Sequence, residues 1–211
     1  MKIMSKKFLI ISDAWQPQVN GVVRTYENIV EQLTQMGHTV KVIGPGDFPY
    51  TMPMPGYPEI RLAINPYKRL KRMIENYNPD FIHIPAEGPL GWAGRKYCIK
   101  HGKSHSTSYH THFPDYVAKR FAKYLPFLYG TFHSIAKRII KNFHGHSRVM
   151  LVATQSLEDE LKSWDFKTPM RRMTRGANLD LFKPGENTTF KDLKGPIAIY
   201  VGRVAIEKNL E

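Results

Sequence analysis

The chain has 211 residues, 42% of them hydrophobic, a formal net charge of +13 and one cysteine, Cys98. That length buries one good core and exceeds one usual domain, and the single cysteine excludes an internal disulfide framework or a Cys-rich zinc site, which fits the reducing cytoplasm. The charge implies an anionic partner, whether nucleic acid, an anionic membrane surface or a phosphorylated substrate.

Lysines precede the first apolar run, Phe8 to Ile11, but that run is shorter than the roughly seven residues of a signal-peptide core, so it reads as a strand covered on both faces. Ser12 to Asn20 is loop chemistry, and from Gly21 onward Val22, Val23, Tyr26, Ile29, Val30 and Leu33 recur at helical spacing. A helix starting where a parallel strand ends points unpaired N–H groups and the positive end of its dipole at one spot. Gly21 has no Cβ, so that spot suits a phosphate; a tight turn with no ligand is the other reading. Gly37 ends the helix, and Thr39 to Ile43 is a second strand closed by Gly44-Pro45-Gly46.

The prolines of Asp47 to Pro58 predict a loop crossing the surface, with a short strand at Ile60 to Ile64. Asn65 to Tyr77 sets Leu70, Met73 and Ile74 on one helical face and Lys68, Arg69, Lys71 and Arg72 around the rest: a basic amphipathic helix, either an ordinary solvated one or a membrane-surface element. Phe81 to Ile84 is another strand, with His83 near its end. Pro85 to Gly94 reads as a glycine-rich loop leading into a helix through Ile99. Within it Glu87 either caps the helix start or accepts a hydroxyl of an incoming substrate.

Ser104 to His112 is a polar strand running into a loop, and His110 and His112 share one face if the chain is still extended. A metal pair lacks evident further ligands. We read His110 as a substrate contact at the carboxyl end of a parallel strand and His112 as structural. Lys119 to Arg148 interleaves basic and aromatic residues, divided into two helices by Pro126; no RNA-binding signature accompanies it, and an interfacial helix explains both components. A strand at Val149 to Ala153, a helix at Gln155 to Trp164 and a strand at Met170 to Met173 follow. Ile197 to Val201 reads as a fresh buried strand after a polar stretch, leading into the start of a helix. The predicted fold class is therefore α/β, a Rossmann-like parallel sheet with helices on both faces over residues 1–193, with residues 194–211 the truncated start of a second such domain. No apolar window approaches the roughly 20 residues of a spanning helix.

Taken together, FLIISDAWQPQVNGVVRT, HIPAEGPLG, SYHTHFPDY, TRGANLDLFKP and YVGRVAIEKNLE resemble the retaining glycosyltransferases of family 4, whose two-domain architecture is termed GT-B. The resemblance covers the whole chain in order. It implies transfer of a hexose from a nucleotide sugar, GDP-mannose or a UDP-hexose, to a lipid or glycan acceptor at the inner face of the cell membrane. No metal or other cofactor and no nucleic acid is implied. By resemblance the glycine loop facing the donor diphosphate falls on Asn20 and Gly21, the active-site histidine on His110, and the diphosphate-binding Arg and Lys on Arg203 and Lys208. Apart from that carry-over, Arg24 and Glu87 are read as acceptor-side residues. The Trp15 to Arg24 loop is most similar to mannosyl, glucosyl and sulfoquinovosyl transferases acting on glycolipids. The family's pair of glutamates lies beyond Glu211, so the expectation is that this chain by itself lacks most of the donor site and is inactive. The rivals are a non-catalytic basic module binding membrane or nucleic acid, and a GT-B nucleotide-sugar epimerase.

Overall fold

The first strand, β1 (Lys7–Ile11), is an apolar run whose last three residues are buried. It passes through a polar loop into α1 (Gly21–Gln35), and Gly37, with φ 86, turns the chain back into β2 (Thr39–Ile43), parallel to β1. This is a computed structural model, and it describes residues 4–55, 57–110, 129–176, 179, 181–186, 189–190, 193 and 195–201. By chain contacts the protein divides into two compact units, Met1–Arg175 and Gly176–Glu211, and the boundary expected at 193/194 falls inside the second.

The first unit departs from the sequence reading after β2. Asp47 to Pro58 is not a surface loop: a 3₁₀ turn (Pro45–Asp47) leads into an antiparallel hairpin of β3 (Thr51–Met54) and β4 (Tyr57–Ala63), with a register irregularity between Pro53 and Met54. Each strand of a two-stranded ribbon has one unpaired side, where proline's missing N–H breaks no ladder, so prolines that argue against a central strand are tolerated here. The chain re-enters the main sheet through α2 (Tyr67–Tyr77), stopped at Asn78 in the left-handed region with φ 49, and β5 (Phe81–Ile84).

Helix α3 (Pro89–Lys100) starts earlier than the glycine-rich stretch suggests. Its glycines are contact positions rather than loop residues. A Cβ on Gly91 would lie 1.9 Å from the Ala86 carbonyl oxygen, and one on Gly94 3.0 Å from Ile11 Cδ1, so glycine lets the helix sit close against the sheet. The unit continues with β6 (Ser106–Tyr109), α4 (Tyr129–His144), β7 (Val149–Val152), α5 (Gln155–Ser163) and β8 (Met170–Arg172).

The six strands of the main sheet lie in the order β2-β1-β5-β6-β7-β8, and every pair is parallel. The chain leaves β1 in one direction to form β2 and returns on the other side to form β5. The strand order therefore reverses at β1 and β5, and an α/β sheet opens a ligand crevice above the carboxyl ends at such a point. Right-handed crossovers put α1 on one face and the later helices on the other. On that second face Leu9, Ile11, Ile82 and Ile84 pack with Leu70 and Ile74 of α2, Leu90 of α3 and Phe143 of α4; Tyr109, Met150, Val152 and Met170 extend the layer to Ile140 and Leu161.

In the second unit, the apolar run Ile197 to Val201 is neither a strand nor buried, and Val201 is 90% exposed. A strand needs a ladder partner and a covering layer, and among the described residues that unit contains no other strand.

Candidate active site

β6 reads Ser106, Thr107, Ser108, Tyr109, and His110 follows it. Side chains alternate across a sheet, so Ser106, Ser108 and His110 share the face under α1, together with His83, the register partner of Ser106. Tyr26, buried one turn into α1, reaches down to three of these four: its hydroxyl lies 2.7 Å from His83 Nε2, 2.8 Å from Ser108 Oγ and 3.2 Å from His110 Nε2. His83 Nδ1 is 2.7 Å from Ser106 Oγ. Burial holds the His83 imidazole down to about 3 and, with Arg175 nearby as the second cause, the His110 imidazole down to about 4. At neutral pH this burial favours the neutral form of both rings.

The two helix starts above this edge are filled differently. Asn20 caps α1: its Oδ1 accepts from the N–H groups of Val22 and Val23 at 3.0 Å each, and no acidic residue stands in the first turn. Gly21 is exposed, and a Cβ placed on it would meet Arg175 Nη1 at 3.4 Å, so a guanidinium stands beside that start. At α3 it is Asp13, from the loop after β1, that takes the helix start: Oδ1 accepts from Leu90 N at 2.9 Å and Oδ2 from Gly91 N at 3.0 Å. Burial raises the Asp13 carboxyl to about 6 against the downward pull of these two N–H groups.

The Asp13 contact corrects the capping alternative for Glu87. That side chain turns instead to the other face, where Oε1 lies 3.2 Å from His144 Nε2, and His144 Nδ1 is 2.9 Å from Thr107 Oγ1. Arg24 is exposed and pairs with Glu27 at 3.1 Å. Together with Gln16, Pro17, Gln18, Val19 and Val23 these two line an open cleft of ≈ 480 Å³ beside α1.

The structure thus gathers His110, Asn20, Gly21 and Glu87 around one sheet edge, with Arg24 in the first turn of α1. Arg203, Lys208 and His112 lie outside the described residues. The sequence reading gave no site role to Asp13, Tyr26, His83 or Arg175, although Asp13, His83 and Arg175 lie inside the quoted stretches FLIISDAWQPQVNGVVRT, HIPAEGPLG and TRGANLDLFKP and Tyr26 was placed only on the apolar face of its helix. Among the described residues no three His, Cys, Asp or Glu side chains come together as a metal site.

Of the basic residues proposed to face a membrane, Lys68, Arg69 and Arg72 are exposed and Lys71 is half-buried, but Leu70 and Ile74 are buried. Arg69 Nε donates to the Asp47 carbonyl at 2.7 Å, and Lys71 lies 3.6 Å from Glu75. The apolar stripe of α2 is therefore spent on the core, and an interfacial insertion of this helix is excluded. On α4, by contrast, Ile135 and Ile139 are 50% and 42% exposed, one turn apart, beside exposed Arg138. Among the described residues no helix is long and apolar enough to cross a membrane.

Residues 19–181 match the family model for Glycosyltransferase Family 4. An alpha-monoglucosyldiacylglycerol synthase of Acholeplasma laidlawii is 25% identical, over 95% of this chain and 56% of that protein. The sulfoquinovosyl transferase SQD2 of Arabidopsis thaliana is 24% identical, over 92% of this chain and 41% of that protein. A GDP-mannose-dependent alpha-mannosyltransferase of Mycobacterium tuberculosis is 22% identical, over 96% and 57% respectively. The chain spans about half the length of the curated relatives it matches.

Proposed function

The chain belongs to Glycosyltransferase Family 4, and we propose that it forms the acceptor-side half of an enzyme that moves a hexose from GDP-mannose or a UDP-hexose, with retention, to a membrane lipid. The observation that carries this reading is the placement of His110: its imidazole stands at the carboxyl end of β6, held by Tyr26 of α1 at 3.2 Å, on the helix whose start carries exposed Gly21 and the Arg175 guanidinium. A leaving nucleotide diphosphate gathers negative charge as the glycosidic bond breaks, and fixed cations with a helix N-terminus stabilise that charge without a metal. The α3 start already holds a carboxylate, Asp13, whereas the α1 start holds only a neutral amide cap, which makes α1 the better seat for the donor diphosphate.

In this reading Asn20, Gly21 and Arg175 face the diphosphate, and Arg203 and Lys208 keep the diphosphate-binding role that the family resemblance gives them. The neutral His110 hydrogen-bonds the donor sugar or its phosphate, a contact that tightens in the transition state. Glu87, oriented by His144, and Arg24 in the cleft beside α1 take the acceptor. Docking on the inner face of an anionic membrane falls to the basic surface of α2 through charge alone and to Ile135, Ile139 and Arg138 of α4 through charge and apolar contact.

In the intact enzyme His110→Ala lowers kcat by roughly 10²-fold with folding retained, and His112→Ala does much less. The measurement is transfer from GDP-mannose and UDP-glucose to lipid acceptors in anionic vesicles. Two equally mild variants, or no transfer from any nucleotide sugar by the wild type, would overturn the reading.

A further inference from the structure

The polar groups beneath α1 form a chain whose proton count can be closed. His83 Nδ1 and Ser106 Oγ are 2.7 Å apart, while the remaining acceptor for the Ser106 hydroxyl, the Ile82 carbonyl, is 3.5 Å away. At 3.5 Å the Ile82 carbonyl is a poor acceptor, so the Ser106 proton is assigned to the short contact, with His83 accepting at Nδ1. A neutral imidazole then carries its hydrogen on Nε2 and donates to the nearest acceptor, the Tyr26 oxygen at 2.7 Å. Ser108 Oγ lies 3.1 Å from that same Nε2, which now has no lone pair to offer, so the Ser108 hydroxyl donates to Tyr26 at 2.8 Å. Both lone pairs of the Tyr26 oxygen are then used. Its single proton has one acceptor left, His110 Nε2 at 3.2 Å.

We propose that Tyr26 is a positioning residue that donates its hydroxyl proton to Nε2 of His110 and so holds this imidazole as the Nδ1–H tautomer. The ring is also fixed in orientation, edge-on to Tyr26 at a centroid distance of 5.6 Å with an interplanar angle of 80°. Among the described residues Nδ1 of His110 has no hydrogen-bond partner, so the tautomer turns the free nitrogen into a donor available to a sugar hydroxyl or phosphate oxygen. An Nε2–H tautomer would instead require Tyr26 to accept a third hydrogen bond and would leave an acceptor at the free nitrogen. The supporting groups come from two strands and one helix, so the donor is set before any ligand arrives. The consequence for transfer rests on the role proposed for His110, but the tautomer itself does not.

Long-range proton–nitrogen correlation spectra of the ¹⁵N-labelled chain read the tautomer directly. In the wild type, His110 Nε2 is expected to resonate as the unprotonated nitrogen and Nδ1 as the protonated one. In Tyr26→Phe, which keeps the buried ring, the population shifts to Nε2–H. A wild-type Nε2–H tautomer, or a Tyr26→Phe spectrum unchanged from wild type, overturns the proposal; should the variant fail to fold, the wild-type spectrum alone decides. In the intact enzyme Tyr26→Phe lowers kcat by about tenfold with KM little changed, and adds nothing to His110→Ala. A shifted tautomer with undiminished transfer would uphold the inference and show that transfer does not depend on which tautomer His110 holds.

Discussion

Two helices begin above the carboxyl edge of this sheet, and their starts are capped from opposite distances along the chain. α1 is capped by Asn20, the residue before it, through a neutral amide. α3 is capped by Asp13, 77 residues from Leu90, through both oxygens of a buried carboxylate. A local neutral cap satisfies the N–H groups and leaves the positive end of the helix without a fixed anion, whereas the remote charged cap uses it up. The lesson is that equal helix starts need not be equal sites: at α1 the place of the anion stays open to a ligand, and at α3 it is structural.

The two sides also carry opposite pH dependence, which offers the sharpest ways to break the comparison. Beneath α1, burial holds His83 down to about 3, below its ordinary 6.5. Its stabilising contribution is fully present above about 6.5 and is lost as pH falls towards 3, a loss of about 4 kcal/mol after discounting for the partial exposure of the ring. Urea midpoints from pH 7 to 4 should fall more steeply for the wild type than for His83→Gln. Equal slopes would remove the neutral histidine from the account.

At α3 the sign reverses. Burial raises Asp13 from 3.8 to about 6, so its contribution is fully present below about 3.8 and is lost as pH rises through about 6, a change of roughly 3 kcal/mol. The stability difference between wild type and Asp13→Asn should therefore narrow as pH rises across that window. A constant difference would mean that the carboxyl titrates at its ordinary value, so that burial does not outweigh the two N–H groups of α3 that hold it.

The smallest effect compares the glycines at the two starts. A Cβ on Gly88 would lie 2.3 Å from Asp13 Cγ, whereas one on Gly21 meets only Arg175 Nη1, at the ordinary contact distance of 3.4 Å. Gly88→Ala should cost about 2 kcal/mol by overpacking, and Gly21→Ala should lie within about 0.5 kcal/mol of wild type, since helix propensity favours alanine. Thermal denaturation of the two variants measures this, and similar losses would erase the distinction between the two starts.

Much of the fold was legible because it is written in short-range pattern. The strands at Thr39–Ile43 and Phe81–Ile84 and the start of α1 at Gly21 follow from apolar runs and helical spacing, and each lies where the local pattern puts it. The hairpin of β3 and β4 was hidden because Pro53 and Pro58 weigh against a strand unless the strand is known to lie at an edge, and edge position is a property of the sheet. The α2 stripe of Leu70 and Ile74 was legible as amphipathic, but whether it met core or membrane depended on what packs against it.

By itself, then, the sequence determined the order of the main-sheet strands, the parallel α/β class and the residues that end at the carboxyl edge, among them Asn20, Gly21, Glu87 and His110. Tertiary structure alone decided which of them touch. Asp13 reaches Leu90, Tyr26 reaches His83, Ser108 and His110, and His144 reaches Glu87 across separations of 57 residues or more. These contacts join strands and helices that only the crossover topology brings side by side. No local propensity encodes such a hydrogen bond, because its free energy depends on partners and burial that exist only once the sheet has formed.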